Sequence, residues 1–425
     1  MKCSGSLTPV LQHLPSMHTR ARKLPRVGAP LVGVVVAASE TSDSGALSAL
    51  MSAALALPIA AISINVKALE WNDLSGGAVG LRTLDYREPG RMHIREPMFW
   101  LRLPVAEKWE ISASRTIDSI SGASPIIVSN RTGTPVETLT GASIVDRRTA
   151  ASGRVMRRFD NATLGVSRTI SYEKDYSSQA FTFDGTYDFN EKNTTVAWGY
   201  GKSNDRILSV TDPSLDEKRV SEEYLLGITQ IIDRNSLVQS NFVVTAGRGY
   251  FNDPYKLTVT FFSSGPFRIS RDTRPDQRNQ FAWLTRYKRA LPSFGSIFSA
   301  EYRYYRDDWG VRAHTAAASW LQTLSENWKI EGGLRYYSQE QADFYRAQLP
   351  PGPPPLTTSS DQRLASFGAL EPSLKLVYLF GQGTNIDITY SNYQQKASWR
   401  FGGGGSSAFV PYRANLLSVG VTHTF

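Results

Sequence analysis

Phe181-Thr182-Phe183-Asp184-Gly185-Thr186-Tyr187 puts Phe181, Phe183 and Tyr187 at odd positions and Thr182, Asp184 and Thr186 at even ones. Successive strand side chains point to opposite faces, so the segment offers one apolar and one polar surface. The pattern recurs. Lys329–Tyr336 separates Ile330, Leu334 and Tyr336 from Lys329, Glu331 and Arg335, and Asn385–Tyr390 separates Ile386, Ile388 and Tyr390 from Asp387 and Thr389. Beyond residue 75 no helical period competes with this alternation.

Counting such segments predicts about sixteen strands, within a range of 14–18. Their connections alternate in length. Tight turns are expected around 106–108, 159–161, 190–192, 233–235, 291–295, 325–327 and 381–383. Long Gly/Pro/Ser-rich connections are expected at 118–148, 203–221, 250–279, 339–362 and 396–414. A β-sandwich alternates too, but it needs neither ten-residue strands nor systematically unequal ends. The expected fold is therefore all-β: a transmembrane antiparallel up-and-down barrel with short periplasmic turns and long extracellular loops. The bilayer core satisfies no backbone hydrogen bonds, so strands cross it only as a closed sheet. Trp100, Trp109, Trp198, Trp283, Tyr305, Trp320, Trp328 and Tyr337 lie near expected strand ends, where amphipathic rings form interfacial girdles.

The C-terminal strand carries the sharpest local signal. Leu417, Val419, Val421, His423 and Phe425 alternate with Ser418, Gly420, Thr422 and Thr424. Leu417, Val419, Val421 and the terminal Phe425 read as the closing strand and as the signal for barrel-assembly machinery.

Composition agrees. The 425 residues are 41% hydrophobic and 11% aromatic with a net charge of +9, too apolar and too weakly charged for a disordered chain. The longest apolar run, Ala53–Ile62, falls far short of the roughly 20 residues of a spanning helix. Part of the basic excess (Lys2, Arg20, Arg22, Lys23, Arg26, Lys67) lies ahead of residue 69, and no block of five like charges occurs, so no nucleic-acid partner is expected. The single cysteine, Cys3, excludes disulfide frameworks and Cys-ligated zinc. Residues 1–68 read as an export leader: basic residues precede the apolar stretch Ala46–Ile64, and Val66-Lys67-Ala68 supplies a cleavage site. Residues 69–425 form one barrel domain, placed in the outer membrane of a Gram-negative bacterium with its lipid as the surrounding partner.

Several stretches carry a family resemblance: Tyr86–Arg102 (YREPGRMHIREPMFWLR), Asp118–Pro125, Thr140–Ser143, Asp253–Lys256, Asp272–Arg278 (DTRPDQR), Ala282–Tyr287, Val311–His314, Ala342–Tyr345 and Asp361–Ala369 (DQRLASFGA). Together, over about residues 76–425, they resemble the proteobacterial domain-of-unknown-function family 3570. The resemblance implies a signal peptide and a β-rich envelope protein, and it carries over no activity, cofactor or catalytic residue.

Site residues follow from strand phase. If the apolar faces meet lipid, Arg102, Glu110, Asp184, Glu301, Arg303, Lys329, Glu331, Arg335 and Asp387 line the lumen. Arg115 and Arg168 fall in the apolar phase, which suggests a strand end or a bulge. In the loops, Asp253, Asp272, Arg274, Asp276, Arg278 and Asp361 are expected to form a salt-bridge network; a calcium site built from the same oxygens is the competing reading. No Gly-x-Ser-x-Gly, His-Glu-x-x-His, P-loop or dinucleotide fingerprint occurs, so neither catalysis nor a cofactor is expected. His314 reads as a lumen hydrogen-bonder. The leading functional expectation is a porin-like channel for small polar solutes. The alternatives are a structural or assembly barrel holding an exported partner, redox proteins among the candidates, and a hydrolase using rim histidines such as His93.

Overall fold

The computed structural model describes residues 76–122, 125–129, 136–139, 144–260, 262, 267–349, 351–353, 355–381 and 383–425. The expected leader and its cleavage site lie outside the described residues.

The wall begins with β1 (Ala78–Arg87), β2 (Met92–Ala106) and β3 (Trp109–Gly122). A small hairpin, β4 (Pro125–Ser129) and β5 (Val136–Leu139), stands in the following connection. The wall resumes with β6 (Ile144–Arg158), β7 (Ala162–Tyr172), β8 (Tyr176–Phe189), β9 (Thr194–Leu208), β10 (Asp216–Asp233) and β11 (Ser236–Gly249). A second hairpin, β12 (Leu257–Thr260) and β13 (Arg268–Arg271), precedes β14 (Gln277–Leu291). Then come β15 (Ser296–Asp307), β16 (Arg312–Thr323), β17 (Trp328–Gln339), β18 (Phe367–Phe380), β19 (Thr384–Lys396) and β20 (Tyr412–Thr424).

Leaving out the two hairpins, sixteen strands pair antiparallel with their neighbours, and β20 pairs with β1 to close the barrel. Ala78 stands opposite Thr424 and Arg87 opposite Asn415, while Phe425 N donates to Gly77 O at 3.0 Å. Closure thus uses the strand whose alternation marked it in the sequence. Seven tight turns and both described ends of the chain occupy one rim; the long connections occupy the other. By the usual asymmetry these are the periplasmic and extracellular sides.

The two faces are chemically distinct. Leu81, Leu226, Leu334 and Leu374 are each more than half exposed, with Phe99, Phe183, Ile228 and Ile388 among the large apolar residues sharing their phase. Such a continuous apolar surface belongs against hydrocarbon. The opposite phase of the same strands carries Arg82, Asp184, Glu223 and Lys375, all buried.

Three expectations change. Residues 203–221, read as one long loop, are mostly strand, because β9 runs to Leu208 and β10 starts at Asp216. There Ser203 and Asp205 point in while Asn204 and Arg206 point out, so the polar/apolar contrast that signals a strand disappears. Arg115 and Arg168 lie at neither a strand end nor a bulge: Arg115 faces Phe99 and Ala151, and Arg168 faces Gly153 and Phe181, in unbroken register. Finally, Trp100, Tyr305 and Tyr337 do not join a girdle but are buried inside the wall. Trp100 lies over Gly80 on the neighbouring strand, where any Cβ would collide with its indole.

Candidate functional site

The inner wall is built from cross-strand ion pairs. Arg82 of β1 donates to Asp387 of β19 through Nη1 at 2.9 Å and Nη2 at 2.7 Å, reaching over β20 where Gly420 leaves room. Lys375 Nζ lies 4.0 Å from the same carboxylate. Arg286 donates to Glu301 at 2.5 Å, Arg335 sits 3.6 Å from Glu371, and Arg158 donates to Glu110 at 2.5 Å. Arg154 grips Asp184 through both guanidinium nitrogens, the Nη2–Oδ2 bond being 2.6 Å. Arg219–Asp205 (2.7 Å) and Arg278–Asp307 (2.6 Å) repeat the motif nearer the extracellular end.

All nine residues read from the sequence as lumen-lining occupy this inward phase: Arg102, Glu110, Asp184, Glu301, Arg303, Lys329, Glu331, Arg335 and Asp387. Arg303 and Arg335 also lie 5.7 Å from the ring centroids of Tyr305 and Tyr337. The partners Arg82, Arg154, Arg286, Glu371 and Lys375 escaped sequence reading. Only the pairing register shows that each sits beside an opposite charge.

Above the wall, the connections after β11, β17 and β19 fold together into a cap. Thr273 and Thr358 exchange backbone hydrogen bonds of 2.9 and 2.7 Å, and Leu349 N donates to Val259 O at 3.0 Å. Ser406 N donates to Ser366 O at 2.8 Å, tying in the Gly-rich segment 402–405. Below these bonds, Phe251, Trp309, Phe344, Leu364, Phe367 and Phe409 form one buried apolar cluster with wall residues Leu84, Tyr305, Tyr337 and Tyr393. The long loops therefore pack on the inner wall at the mouth.

The cap is pinned by charge. Arg274 Nε donates to Asp272 at 2.6 Å, and Arg274 Nη2 to Asp361 at 3.0 Å. Arg363 donates to Asp253 at 2.8 Å and closes tightly on Asp361. The Arg274, Asp272 and Asp361 side chains are almost wholly buried. Burial pushes the Asp361 carboxyl up, but Arg363, Lys256 and Arg274 together pull it well below the usual carboxylate range. Burial raises the Asp272 carboxyl, against the pull of Arg274.

Of the six expected network residues, Asp253, Asp272, Arg274 and Asp361 meet here. Asp276 is exposed, and Arg278 belongs to the wall, stacked 4.1 Å over the Trp309 ring. Arg363, just past the connection expected at 339–362 and so expected to open a strand, instead supplies the second bridging guanidinium; β18 begins only at Phe367. Among the described residues no group of three or more acidic, His or Cys side chains is arranged to hold a metal ion. The cap carboxylates meet arginine guanidinium groups.

The histidines stand apart from this system. His314 faces outward, 2.7 Å from the Tyr302 hydroxyl, and not into the lumen as expected. His93 lies 2.9 Å from Asp85, also on the outer face.

A family profile described as "Protein of unknown function (DUF3570)" matches residues 47–223 and 210–415. Among curated proteins none matches. Solved structures align over most of the chain. CdiB from Acinetobacter baumannii aligns with a TM-score of 0.50 at 9% identity over 84% of this chain, which spans 61% of that protein. A bacterial polysaccharide outer membrane secretin aligns at 0.46 and 9% identity over 83% of this chain and 100% of its own. A loop-deleted OmpT, an outer membrane protein of Vibrio cholerae, aligns at 0.39 and 9% identity over 82% and 97%.

Proposed function

The chain belongs to the DUF3570 family and forms an outer-membrane β-barrel, and from that premise we propose that it is a channel for small polar solutes whose extracellular mouth is covered by a charge-pinned cap. One observation carries the reading. Charged side chains line the inner phase from β1 round to β19, and apolar packing is gathered at the mouth, where the loops meet Leu84, Tyr305, Tyr337 and Tyr393 of the wall. Sixteen strands enclose more space than one layer of wall side chains fills, so a purely structural barrel has no need of so polar a lining.

The cap makes access conditional. A solute passes when the segments joined by Arg274 and Arg363 separate from the wall. Selectivity then arises from the paired charges below, which offer donors and acceptors of both signs. We read the barrel as non-enzymatic, since the sequence carries no motif that sets a nucleophile beside its base.

Conductance in planar bilayers tests the proposal. The intact protein is expected to show small, infrequent openings, and Arg274→Ala to show larger or longer ones. A folded barrel that stays silent in both forms rejects the channel. The second reading, a structural barrel holding an exported partner, takes its support from the apolar packing under the cap.

A further inference from the structure

One carboxylate of the inner wall has no cation beside it. Glu223 points into the lumen from β10 and is 3% exposed. Its Oε2 accepts from Thr245 Oγ1 at 3.3 Å, while Oε1 makes no hydrogen bond. Among the described residues it is the one ionisable side chain on the inner phase of 197–203, 221–229 and 239–245. The charges bordering this sector are already held, Asp184 by Arg154, Asp205 by Arg219 and Arg286 by Glu301.

Register sets what surrounds it. Glu223 faces Thr245 on β11 and Gly201 on β9; Ser221, one inward step higher, faces Gly247 and Ser203. Diagonal positions on adjacent strands lie about 7–8 Å apart, within reach of a glutamate. Gly201 brings no side chain to the space beside the carboxylate. Ser203 is 0% exposed, and its Oγ, like Glu223 Oε1, makes no hydrogen bond. Buried polar atoms ordinarily find partners, so two such atoms on diagonal positions mark a place that a bound molecule completes. Water would bridge them but would leave the carboxylate's charge unanswered. The surroundings are apolar. Leu225 and Val243, both buried, face each other one inward step below. Above, a Cβ at Gly247 would stand 2.7 Å from the Phe251 ring and 3.4 Å from Ser221 Oγ, so a cap residue roofs the site.

We propose that Glu223, Ser203 and Thr245 form a binding site for the primary ammonium group of a small solute. One carboxylate among neutral hydroxyls carries a single negative charge, which a monovalent cation answers. An ammonium has three N–H donors and no acceptor. One goes to Glu223 Oε1, one to Ser203 Oγ and one to Thr245 Oγ1, whose own proton is already given to Oε2. The alkyl stem then lies against Phe251, Leu225 and Val243. The site names the solute class of the proposed channel and in that role rests on it, but binding itself does not require conduction.

The test uses the purified whole barrel in micelles, in amine-free buffer, and measures binding by saturation-transfer NMR. The probes are propylammonium chloride, 1-propanol and potassium chloride. Wild type is expected to bind propylammonium at least tenfold more tightly than Glu223→Gln, and to give no transfer to 1-propanol. Glu222→Gln, on the outer face of the same strand, is expected to match wild type, all variants remaining heat-modifiable on gels. Ser203→Ala keeps the carboxylate and is expected to weaken binding at least threefold, which carries the test should Glu223→Gln fail to fold. Equal binding by wild type and either site variant overturns the site. Transfer to 1-propanol as strong as to propylammonium overturns charge recognition, and displacement by equimolar potassium chloride overturns the ammonium assignment in favour of an alkali ion. A barrel that binds but stays silent in bilayers rejects the channel alone; one that conducts without binding rejects the site alone.

Discussion

Arg274 joins Asp272, two residues away in its own loop, to Asp361, which reaches it from the connection between β17 and β18; the two bonds are 2.6 and 3.0 Å. One guanidinium thus holds together two loops that leave the wall at β11 and β17. Its planar fork suits two carboxylates at once, which an ammonium does not match.

Removing that guanidinium leaves two buried carboxylates short of a partner. Breaking a buried pair on one side costs about 3–5 kcal/mol. Arg274→Ala is therefore expected to release the cap while the barrel persists. Amide exchange should rise in 253–276 and 340–366, with unchanged heat modifiability. Cap protection equal to wild type would show that the apolar cluster alone holds the loops.

Acid is expected to leave the cap closed. Asp361 is held below its ordinary range, so its stabilisation is present above about pH 4 and disappears only as pH falls through the depressed folded value. Asp272 is raised, so protonating it on the way down favours the folded cap. Between pH 7 and pH 5 neither group loosens the loops. Exchange protection in 268–276, corrected for intrinsic rate, should be no lower at pH 5, and a clear fall would contradict the charge assignment.

Register is tested at Phe183 and Asp184. Phe183 faces lipid, edge-on to Trp198 with ring centroids 5.1 Å apart, so Phe183→Arg should cost about 2–4 kcal/mol near the midplane. Sequence alone suggests that Asp184→Asn leaves folding intact, because a lumen side chain meets water. The bidentate contact with Arg154 changes that expectation to a loss of about 1–3 kcal/mol. Urea unfolding of both variants in vesicles decides the matter, and a Phe183→Arg barrel as stable as wild type would reverse the faces.

Phe425 contributes to closure through its backbone as well as its ring. Gly76 N donates to Phe425 O and Phe425 N to Gly77 O, both at 3.0 Å, and the ring packs edge-on against His423. Deleting Phe425 should lower the amount of barrel reaching the outer membrane and increase periplasmic degradation, read by fractionation and immunoblot. Wild-type levels would remove the assembly role.

Much of this was legible in the chain because a strand wall writes its environment with period two. Phe183 beside Asp184, or Ile388 beside Asp387, reports which side meets lipid, and turns reveal themselves by Gly, Asn and Asp. Hence the closed antiparallel fold, the strand count and the inward phase of Arg335 and Asp387 follow from local pattern. Above the membrane both faces of a strand meet polar surroundings, so β9 and β10 lose their contrast and look like loop. Pairing is also non-local. Arg82 and Asp387 are 305 positions apart and meet only because β20 closes on β1. The cap is the extreme case: Asp253, Arg274, Asp361 and Arg363 carry no periodic signal, and their contact depends on loops whose course is set by what they bury. Sequence determined the barrel through the solvent on each side of each strand; tertiary structure alone decided which charges pair and that the long loops pack on the inner wall at the mouth, since both rest on contacts between segments no local pattern connects.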